Sequence, residues 1–469
     1  MRNLTRPFAV IAMLVVAAAC APPKPKVPLN IGLVLPQSGA LVTGELYTNS
    51  TNLAIKHITE AGGMRGNGQL VAVKEDSGAT TQGAADAIEK MSTEKNIKLA
   101  MTITSSETIG IDAATKLPFG AGPTATAKKI PLICVGCSAP DFECIGLHQY
   151  VFGAVATGGD PTCAMNPTAG TIETTGYVYR MVETSIPQGA ALAQMALADG
   201  ASVIAGLAVN LPFGTALLNH PIAGVKKIVT DAAKTYSVTS VHEQSPAALA
   251  AKTMVASVTA QEFEAHIRTA YDNAIVDHAM GPVQALIVNS FPDYNKIIAT
   301  AAQANAKKPK LYFSFTGFSS ELLATSGNAL AGAKGTNYAI AGGPSPGTFV
   351  EDYAAIGNVP VEQVRGSIYV DTAYDAMVLA ALAIYATGVE SPSGEEVKAK
   401  LDTLNDPNGE AIGYKEFAKA KKILDAGGAI NYQGVSGNVD FSKTNGVKSP
   451  IGKWEIAIEG GNPVFKTLP

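Results

Sequence analysis

Apolar residues along this chain of 469 residues fall into short runs that alternate with longer segments of helical periodicity. The first run, residues 29–35, is mostly aliphatic and ends at Pro36, which predicts a buried strand. In residues 45–61, apolar side chains recur on one helical face, and Gly62 and Gly63 follow. That spacing with a glycine end predicts a helix.

The same alternation continues along the chain. It predicts strands at 70–73, 99–104, 130–135, 203–209, 236–242, 283–289 and 310–315, and helices at 82–94, 188–199, 215–234, 262–277, 293–305 and 371–388. Strands that alternate with helices form parallel sheets covered by helices on both faces. Two such sets, separated by a loop-rich stretch at 138–176, predict two doubly wound α/β lobes. Ligands of such folds bind beyond the carboxyl ends of the strands.

The segment that crosses between the lobes has two candidates, because Tyr150-Val-Phe-Gly and Tyr177-Val-Tyr-Arg look alike. The second is favoured, since a helix is expected to begin soon after it, at Pro187. The residues between the two candidates are then an insertion.

The first twenty residues have the order of a secretory signal. Arg2 and Arg6 precede an apolar run at 8–19, which is too short for a permanent membrane anchor. Small residues stand directly before Cys20, as at a lipidation site, and the proline-rich stretch 21–28 suits an extended tether. The alternative is an ordinary signal peptide that leaves Cys20 as a stray thiol. No other segment approaches eighteen uninterrupted apolar residues.

Length and charge narrow the class of protein. About 440 residues follow the tether, which is too many for one compact core and suits two domains. The formal net charge is −4 and no basic run is present, which argues against a nucleic-acid partner.

Four cysteines lie within thirty residues, and an even, clustered number in an exported chain predicts two disulfides. They are Cys134, Cys137, Cys144 and Cys163. The sequence leaves all three pairings open. Zinc or redox chemistry is the alternative, but a single Cys-x-x-Cys with these gaps fits no standard zinc spacing.

Several of these segments together resemble the type I periplasmic binding proteins, in the branch that carries branched-chain amino acids and amides to ATP-driven importers. The most specific is Ile58-Thr-Glu-Ala-Gly-Gly-Met-Arg-Gly-Asn67; the others are 29–39, 103–107, 130–140 and 432–442. The resemblance implies a clam shell of two lobes joined by three crossovers, which closes on a ligand and presents it to a permease and its ATPase. No catalysis and no cofactor are implied.

The same resemblance implies the domain limits. Residues 1–19 are the signal peptide and 20–29 the lipidated tether. Lobe 1 comprises 30–175 and 342–432, with a cysteine-rich insertion at 136–170, and lobe 2 comprises 176–341 and 433–469.

The resemblance also places the ligand-binding residues. In the first lobe they are Gln37, Ser38, Ser105, Ser106, Cys137 and Ser138, and in the second Phe213, Phe291, Gly317 and Phe318. Serines at strand-to-helix turns also cap helices, and the phenylalanines could instead belong to the core.

The acidic residue that holds the ligand ammonium in amino-acid-binding relatives has no match in the second lobe. Gly317 or Phe318 stands at its place, and Glu321 is expected to face solvent. A buried ammonium without a counter-charge is costly, so a standard zwitterionic amino acid is not expected. Two ligand classes stay open: a small carboxylate, amide or aromatic acid, and a larger apolar lipid such as a sterol or hopanoid.

An enzyme is the main rival class of function. His148 lies near Cys144, but a Cys–His pair needs a free thiol. His266 and His278 lack a third metal ligand, and the sequence contains no Gly-x-Ser-x-Gly, His-Glu-x-x-His or phosphate-binding glycine loop. We therefore predict neither enzyme activity nor a metal site. A ligand-sensing lipoprotein that signals to a membrane receptor is a further alternative.

Overall fold

The protein is described here by a computed structural model. It describes residues 26–38, 43–66, 68–78, 80–105, 107–108, 111, 129–139, 177–209, 214, 235–241, 260–277, 281–338, 346–365, 367–441 and 446–469. Cys20, Ser106, Phe213, Cys144 and Cys163 lie outside these residues, as do the predicted signal peptide, most of the tether, most of the cysteine-rich insertion and the predicted helix at 215–234.

The first lobe is built on a parallel five-stranded sheet in the order β2-β1-β3-β4-β5. Its strands are β1 (Val27–Leu35), β2 (Gly68–Asp76), β3 (Leu99–Thr102), β4 (Leu132–Cys134) and β5 (Val178–Arg180), with helices α1 (Gly44–Glu60) and α2 (Thr81–Glu94) between the first three. Every residue of β3, β4 and β5 is buried, as expected for parallel strands that helices cover on both faces.

The second lobe is built on a seven-stranded sheet in the order β15-β14-β10-β9-β8-β6-β7. Helix α3 (Ile186–Ala198) leads into β6 (Val203–Val209) and β7 (Thr235–Val241). The next elements are α4 (Ala260–Ala274), β8 (Ala285–Asn289), α5 (Pro292–Ala304) and β9 (Lys310–Phe313). A 3-10 turn (Phe315–Gly317), α6 (Ser320–Ser326), a second 3-10 turn (Gly327–Leu330) and β10 (Lys334–Tyr338) follow. Strands β6 to β10 pair in parallel.

The chain then returns to the first lobe. The returning elements are α7 (Pro346–Gly357), α8 (Val361–Arg365), α9 (Val370–Ala386), α10 (Gly394–Leu404), β11 (Asn405–Ile412), α11 (Phe417–Asp425), β12 (Ile430–Gly434) and β13 (Gly437–Asn438). Helix α9 packs against α1, α10 and α11, and its residues Val370 to Tyr385 are all buried. Its many alanines allow this close packing on several sides.

The tail completes the second lobe, because β14 (Ile451–Glu459) pairs with β10 and β15 (Asn462–Leu468) pairs with β14, both antiparallel. The chain therefore passes between the lobes three times, after β5, β10 and β13. Strand β5 contains Tyr179 of the favoured crossing segment and still belongs to the first sheet, so the first crossing follows Arg180 rather than residue 175. Likewise β12 and β13 pair with each other in the first lobe, which moves the last crossing beyond residue 432.

The predicted α/β class with two parallel-sheet lobes is confirmed by this topology. Within the described part of the chain, no helix has the length and apolar character needed to cross a membrane.

Candidate functional site

A cavity lies where the two lobes and their connections meet. The second lobe contributes Phe315, Phe318 and Tyr338, and the first contributes Tyr369, Asp371 and Thr372. Val182 of the first connection, Ser449 of the third and Asn337 of β10 also belong to the lining. The cavity therefore lies at the junction between the two lobes.

Three aromatic rings from both lobes pack together in this cavity. The centroid of the Phe315 ring lies 5.5 Å from that of Tyr338 and 5.3 Å from that of Tyr369, and the two tyrosine rings lie 6.3 Å apart. The Tyr338 hydroxyl donates to the Glu183 carbonyl oxygen at 2.8 Å. The Tyr369 hydroxyl is buried and has no hydrogen-bond partner among the described residues.

Tyr369 reaches this position through an unusual backbone conformation. It precedes α9 with φ 62° and ψ 12°, in the left-handed region that L-residues other than glycine, asparagine and aspartate seldom adopt. A residue held there costs on the order of 1–3 kcal/mol, and such costs concentrate at binding and catalytic sites. The conformation therefore marks Tyr369 as a candidate functional residue.

Asp371 brings a carboxyl group into the same cavity. It lies in the first turn of α9 and is only 4% exposed. Its Oδ1 accepts a hydrogen bond from the Thr372 backbone N–H at 2.8 Å. Burial, and secondarily the negative charge of Asp375, raises the pKa of Asp371 to about 6.

Asp375, one helical turn later, holds the hairpin that forms one wall of the cavity. Its carboxylate accepts hydrogen bonds from the Tyr432 hydroxyl (2.7 Å), the Val435 N–H (3.0 Å), the Ser436 N–H (2.7 Å) and the Ser436 hydroxyl (2.5 Å). These four donors satisfy the buried carboxylate. Ser436 itself lines the cavity, so Asp375 positions the wall.

The predicted ligand residues after β1 lie away from this cavity. The backbone N–H groups of Gln37 and Ser38 donate to Asp76 Oδ1 at 2.9 and 3.1 Å, and the Ser38 hydroxyl donates to Oδ2. Both residues are exposed. Asp76 thus ties the loop after β1 to the end of β2.

The predicted residues after β3 and β4 are buried and close to one another. The Ser105 hydroxyl accepts a hydrogen bond from the Ala139 N–H at 3.2 Å, which links the two loops. Cys137 forms a disulfide with Cys134. The Ser138 hydroxyl lies beside the Tyr338 phenol, whose pKa burial raises, yet it meets no described group in hydrogen-bond geometry. Ser138 is therefore the predicted first-lobe residue with unused hydrogen-bonding capacity beside the aromatic rings.

The predicted second-lobe residues divide between cavity and core. Phe318 lines the cavity and packs against Phe465, with 4.3 Å between ring centroids. Gly317 permits a tight turn, because a Cβ there would stand 2.7 Å from Phe313 Cγ. Phe291 is buried edge-on against Tyr294 in the hydrophobic core.

Sequence reasoning did not identify Tyr338, Tyr369 or Asp371. Tyr338 ends β10, and Tyr369 and Asp371 stand at the start of α9, where no motif marks them. Glu321 pairs with Lys296 and is 67% exposed, as expected for a residue facing solvent. Among the described residues, no group of three or more histidine, cysteine or acidic side chains is placed to hold a metal ion.

Comparison with known proteins shows which family and which solved structures this chain is similar to. The sequence profile of a periplasmic binding protein family matches residues 28–424. The leucine binding protein LivK from Thermotoga maritima superimposes with a TM-score of 0.62 at 16% identity, covering 93% of this chain and 97% of that one. A solute binding protein of an ABC transporter from Rhodopseudomonas palustris, in complex with 3,4-dihydroxy benzoic acid, superimposes with a TM-score of 0.62 at 14% identity, covering 94% and 96%.

A shorter similarity concerns the chemotactic signal transduction system substrate-binding protein BasB from Halobacterium salinarum. It is 30% identical over 128 residues, which are 25% of this chain and 30% of that protein. This match therefore spans less than a third of that relative. The profile match, by contrast, spans most of the chain and agrees with the two-lobed topology. The protein belongs to the periplasmic binding protein family, whose members bind ligands rather than transform them.

Proposed function

We propose that this protein captures a small ligand between its two lobes and delivers it to an ABC-type permease and ATPase complex. The observation that carries the proposal is the cavity shared by Phe315 of the second lobe and Tyr369 of the first, whose rings lie 5.3 Å apart. A ligand bound against these rings contacts both lobes only when they are closed. Binding therefore shifts an open–closed balance toward the closed form, which a transporter recognises.

The proposal includes export and attachment to the membrane. The N-terminal sequence supports it, with residues 1–19 as the signal peptide and Cys20 as the lipidated first residue of the mature chain. A Cys20→Ser variant should then lose its acyl mass and leave the membrane fraction. Retention of that variant in the membrane fraction would contradict a lipid anchor at this residue.

A small ligand fits the cavity better than a sterol or hopanoid. Phe315, Tyr338 and Tyr369 approach one another to within 5.3–6.3 Å, so a rigid polycyclic lipid would have to displace all three rings. Leucine and a dihydroxybenzoate, named for two structural relatives, are both small. The unused Ser138 hydroxyl offers one hydrogen bond to such a ligand.

Native mass spectrometry of protein purified from its own host tests the proposal. We expect a retained small molecule, and X-ray scattering should show a smaller radius of gyration when that molecule is added back to stripped protein. The Phe315→Ala variant should lose the retained mass. Phe349→Ala, a core substitution in α7, should keep it once the folded fraction is corrected for. A ligand that binds without compaction would contradict capture by closure.

Ligand sensing is a second candidate, favoured by the 128-residue similarity to a chemotactic substrate-binding protein. The two candidates differ only in the membrane partner. Photo-cross-linking from the exposed faces of both lobes in living cells should capture a permease under the first proposal and a chemoreceptor under the second.

A further inference from the structure

The buried carboxyl group of Asp371 indicates which ligands the cavity selects. We propose that Asp371, with the rings of Phe315, Tyr338 and Tyr369, binds the protonated amine of an organic cation whose apolar body lies against these rings between the two lobes. This inference rests on the proposed function, because it names the ligand class of the same cavity.

Asp371 has no positive partner in the described part of the chain. It is 4% exposed, and the titratable groups that act on it or feel its charge are Asp375 on the same helix, Tyr47 on α1 and Tyr369. None of the three carries a positive charge. A buried carboxylate without a positive neighbour is unfavourable unless a cation or several donors compensate it, and an ammonium group placed in the cavity would supply both charge and donors.

Two other buried carboxylates of the first lobe, those of Asp375 and Glu107, are compensated. Asp375 accepts four hydrogen bonds, from Tyr432, Val435 and Ser436. Glu107 accepts from the Ser77 hydroxyl and from the backbone N–H groups after β3. Asp371 accepts from the Thr372 N–H of its own turn and faces the cavity. Asp375 and Glu107 therefore have structural roles, whereas the Asp371 carboxylate can still accept hydrogen bonds from a ligand.

An ordinary role at a helix start does not account for this placement. Acidic residues in a first turn stabilise the helix through its dipole, and they do so at the surface without a burial cost. Glu396 in α10 is such a residue: it is bonded to Ser393 in a capping box, and those hydrogen bonds lower its pKa. Burial instead raises the pKa of Asp371 to about 6, so its position inside the cavity is unfavourable without a ligand.

The three aromatic rings of the cavity would also favour a ligand with an ammonium group. Aromatic faces attract ammonium groups within about 6 Å of their centroids, most strongly where water is excluded. The rings of Phe315, Tyr338 and Tyr369 are each at least 91% buried and belong to the lining. The buried Tyr369 hydroxyl, unpartnered among the described residues, offers one more acceptor for an N–H group. Asp371 carries a negative charge at neutral pH and would repel a carboxylate at this end of the cavity.

Calorimetry with probes of matched shape tests the inference on stripped full-length protein. Phenethylamine and isopentylamine are the cations, and the alcohol and the carboxylic acid of each skeleton are the neutral and anionic controls. We expect each amine to bind about tenfold or more tightly than its alcohol at pH 7.5, as a hydrogen bond to a charged group implies. Asp371→Asn should remove the preference, whereas Asp272→Asn, an exposed carboxylate on α4, should keep it.

Amines that bind no better than their alcohols, or that do not bind at all, would overturn the inference. The failure is distinguishable from failure of the proposed function. If an alcohol or a carboxylic acid binds and compacts the protein, the proposal of ligand capture between the lobes is supported and the proposal that the ligand is a cation is refuted. If the host-derived ligand is neutral or anionic and Asp371→Asn leaves its affinity unchanged, the inference falls as well.

Discussion

The ring of Tyr369 lies directly against Gly136, so that a Cβ built on this glycine would stand 2.6 Å from Cδ2 of the ring. Gly136 belongs to the loop after β4, and Tyr369 precedes α9. The missing side chain at position 136 lets the ring cross that loop and reach Phe315 of the other lobe. A glycine between two cysteines in the sequence thus shapes the cavity wall.

Gly136→Ala should therefore destabilise the protein by about 1–3 kcal/mol, because the added methyl overlaps the Tyr369 ring and stands 2.9 Å from the Ile103 carbonyl oxygen. Urea denaturation measures the change. In a Tyr369→Ala background the same substitution should cost less, since one of the two obstacles is gone.

Gly347→Ala is the matched control, because this glycine lies in α7 with open space around its Cβ position. It should be neutral or stabilising by up to about 1 kcal/mol, as expected for alanine in a helix. Equal costs for Gly136→Ala in both backgrounds would show that the Tyr369 ring is not the obstacle.

The two serines of the loops after β3 and β4 should respond differently to alanine. Ser105→Ala leaves the buried Ala139 N–H without its acceptor and should lower the free energy of unfolding by about 1–3 kcal/mol. Ser138→Ala removes a hydroxyl that has no partner in the described structure and should change stability by less than about 0.5 kcal/mol. Ser138→Ala should nevertheless weaken ligand binding. The opposite order of stabilities would refute this assignment of roles.

The four clustered cysteines should form two disulfides, with Cys134 bonded to Cys137 as in the structure and Cys144 bonded to Cys163. Trypsin leaves all four on the peptide 130–180, which contains no internal lysine or arginine. Cleavage after Glu143 separates the first two cysteines from the last two. Under the expected pairing the two fragments come apart without reductant, and neither carries a free thiol.

Either cross-pairing would hold the two fragments together until reduction, and labelled thiols would show that a disulfide is missing. A Glu143→Gln variant, which lacks the cleavage site, is the control for the protease.

The sequence was sufficient for many of the strands and helices up to residue 315, because their signals are local, but it did not predict helices such as α7 and α10. The apolar run Val203–Val209 is a strand with the predicted ends, and the glycine pair after α1 ends that helix where expected. Ser138 and Phe318 could be placed near the cavity because they follow strands, and strand ends of parallel sheets gather ligand loops.

The rest of the site depends on contacts between distant segments. Tyr338, Tyr369 and Asp371 meet only because the second connection returns the chain to the first lobe. In the sequence, Asp371 looks like an ordinary acidic residue at the start of a helix. The left-handed conformation of Tyr369 could not be predicted, because tyrosine seldom adopts it. The family pattern places the acidic ligand residue in the second lobe, so it gives no indication of a carboxyl group in the first lobe such as that of Asp371.

Asp371 should make stability fall as the pH rises, opposite to the usual effect of a carboxyl group. The unfolded chain ionises this group near its ordinary pKa of 3.8, whereas burial holds the pKa of the folded protein at about 6. Between these values the folded state keeps a proton that the unfolded state releases, so the free energy of unfolding decreases with rising pH. The full penalty, on the order of 3 kcal/mol, applies above about pH 7.

Asp371→Asn imitates the protonated carboxyl group and should remove this penalty. The variant should be more stable than the natural protein at pH 7.5 and nearly equal to it at pH 4, as measured by urea denaturation of ligand-free protein at both values. Asp272→Asn controls for loss of an exposed carboxylate and should show no such pH-dependent gain. Asp375, Tyr47 and Tyr369 remain in both variants, so their titration cancels in the comparison. An Asp371→Asn variant that is less stable at pH 7.5 would mean that the carboxylate is compensated inside the fold, and the cavity would then have no unmet charge to offer a cation.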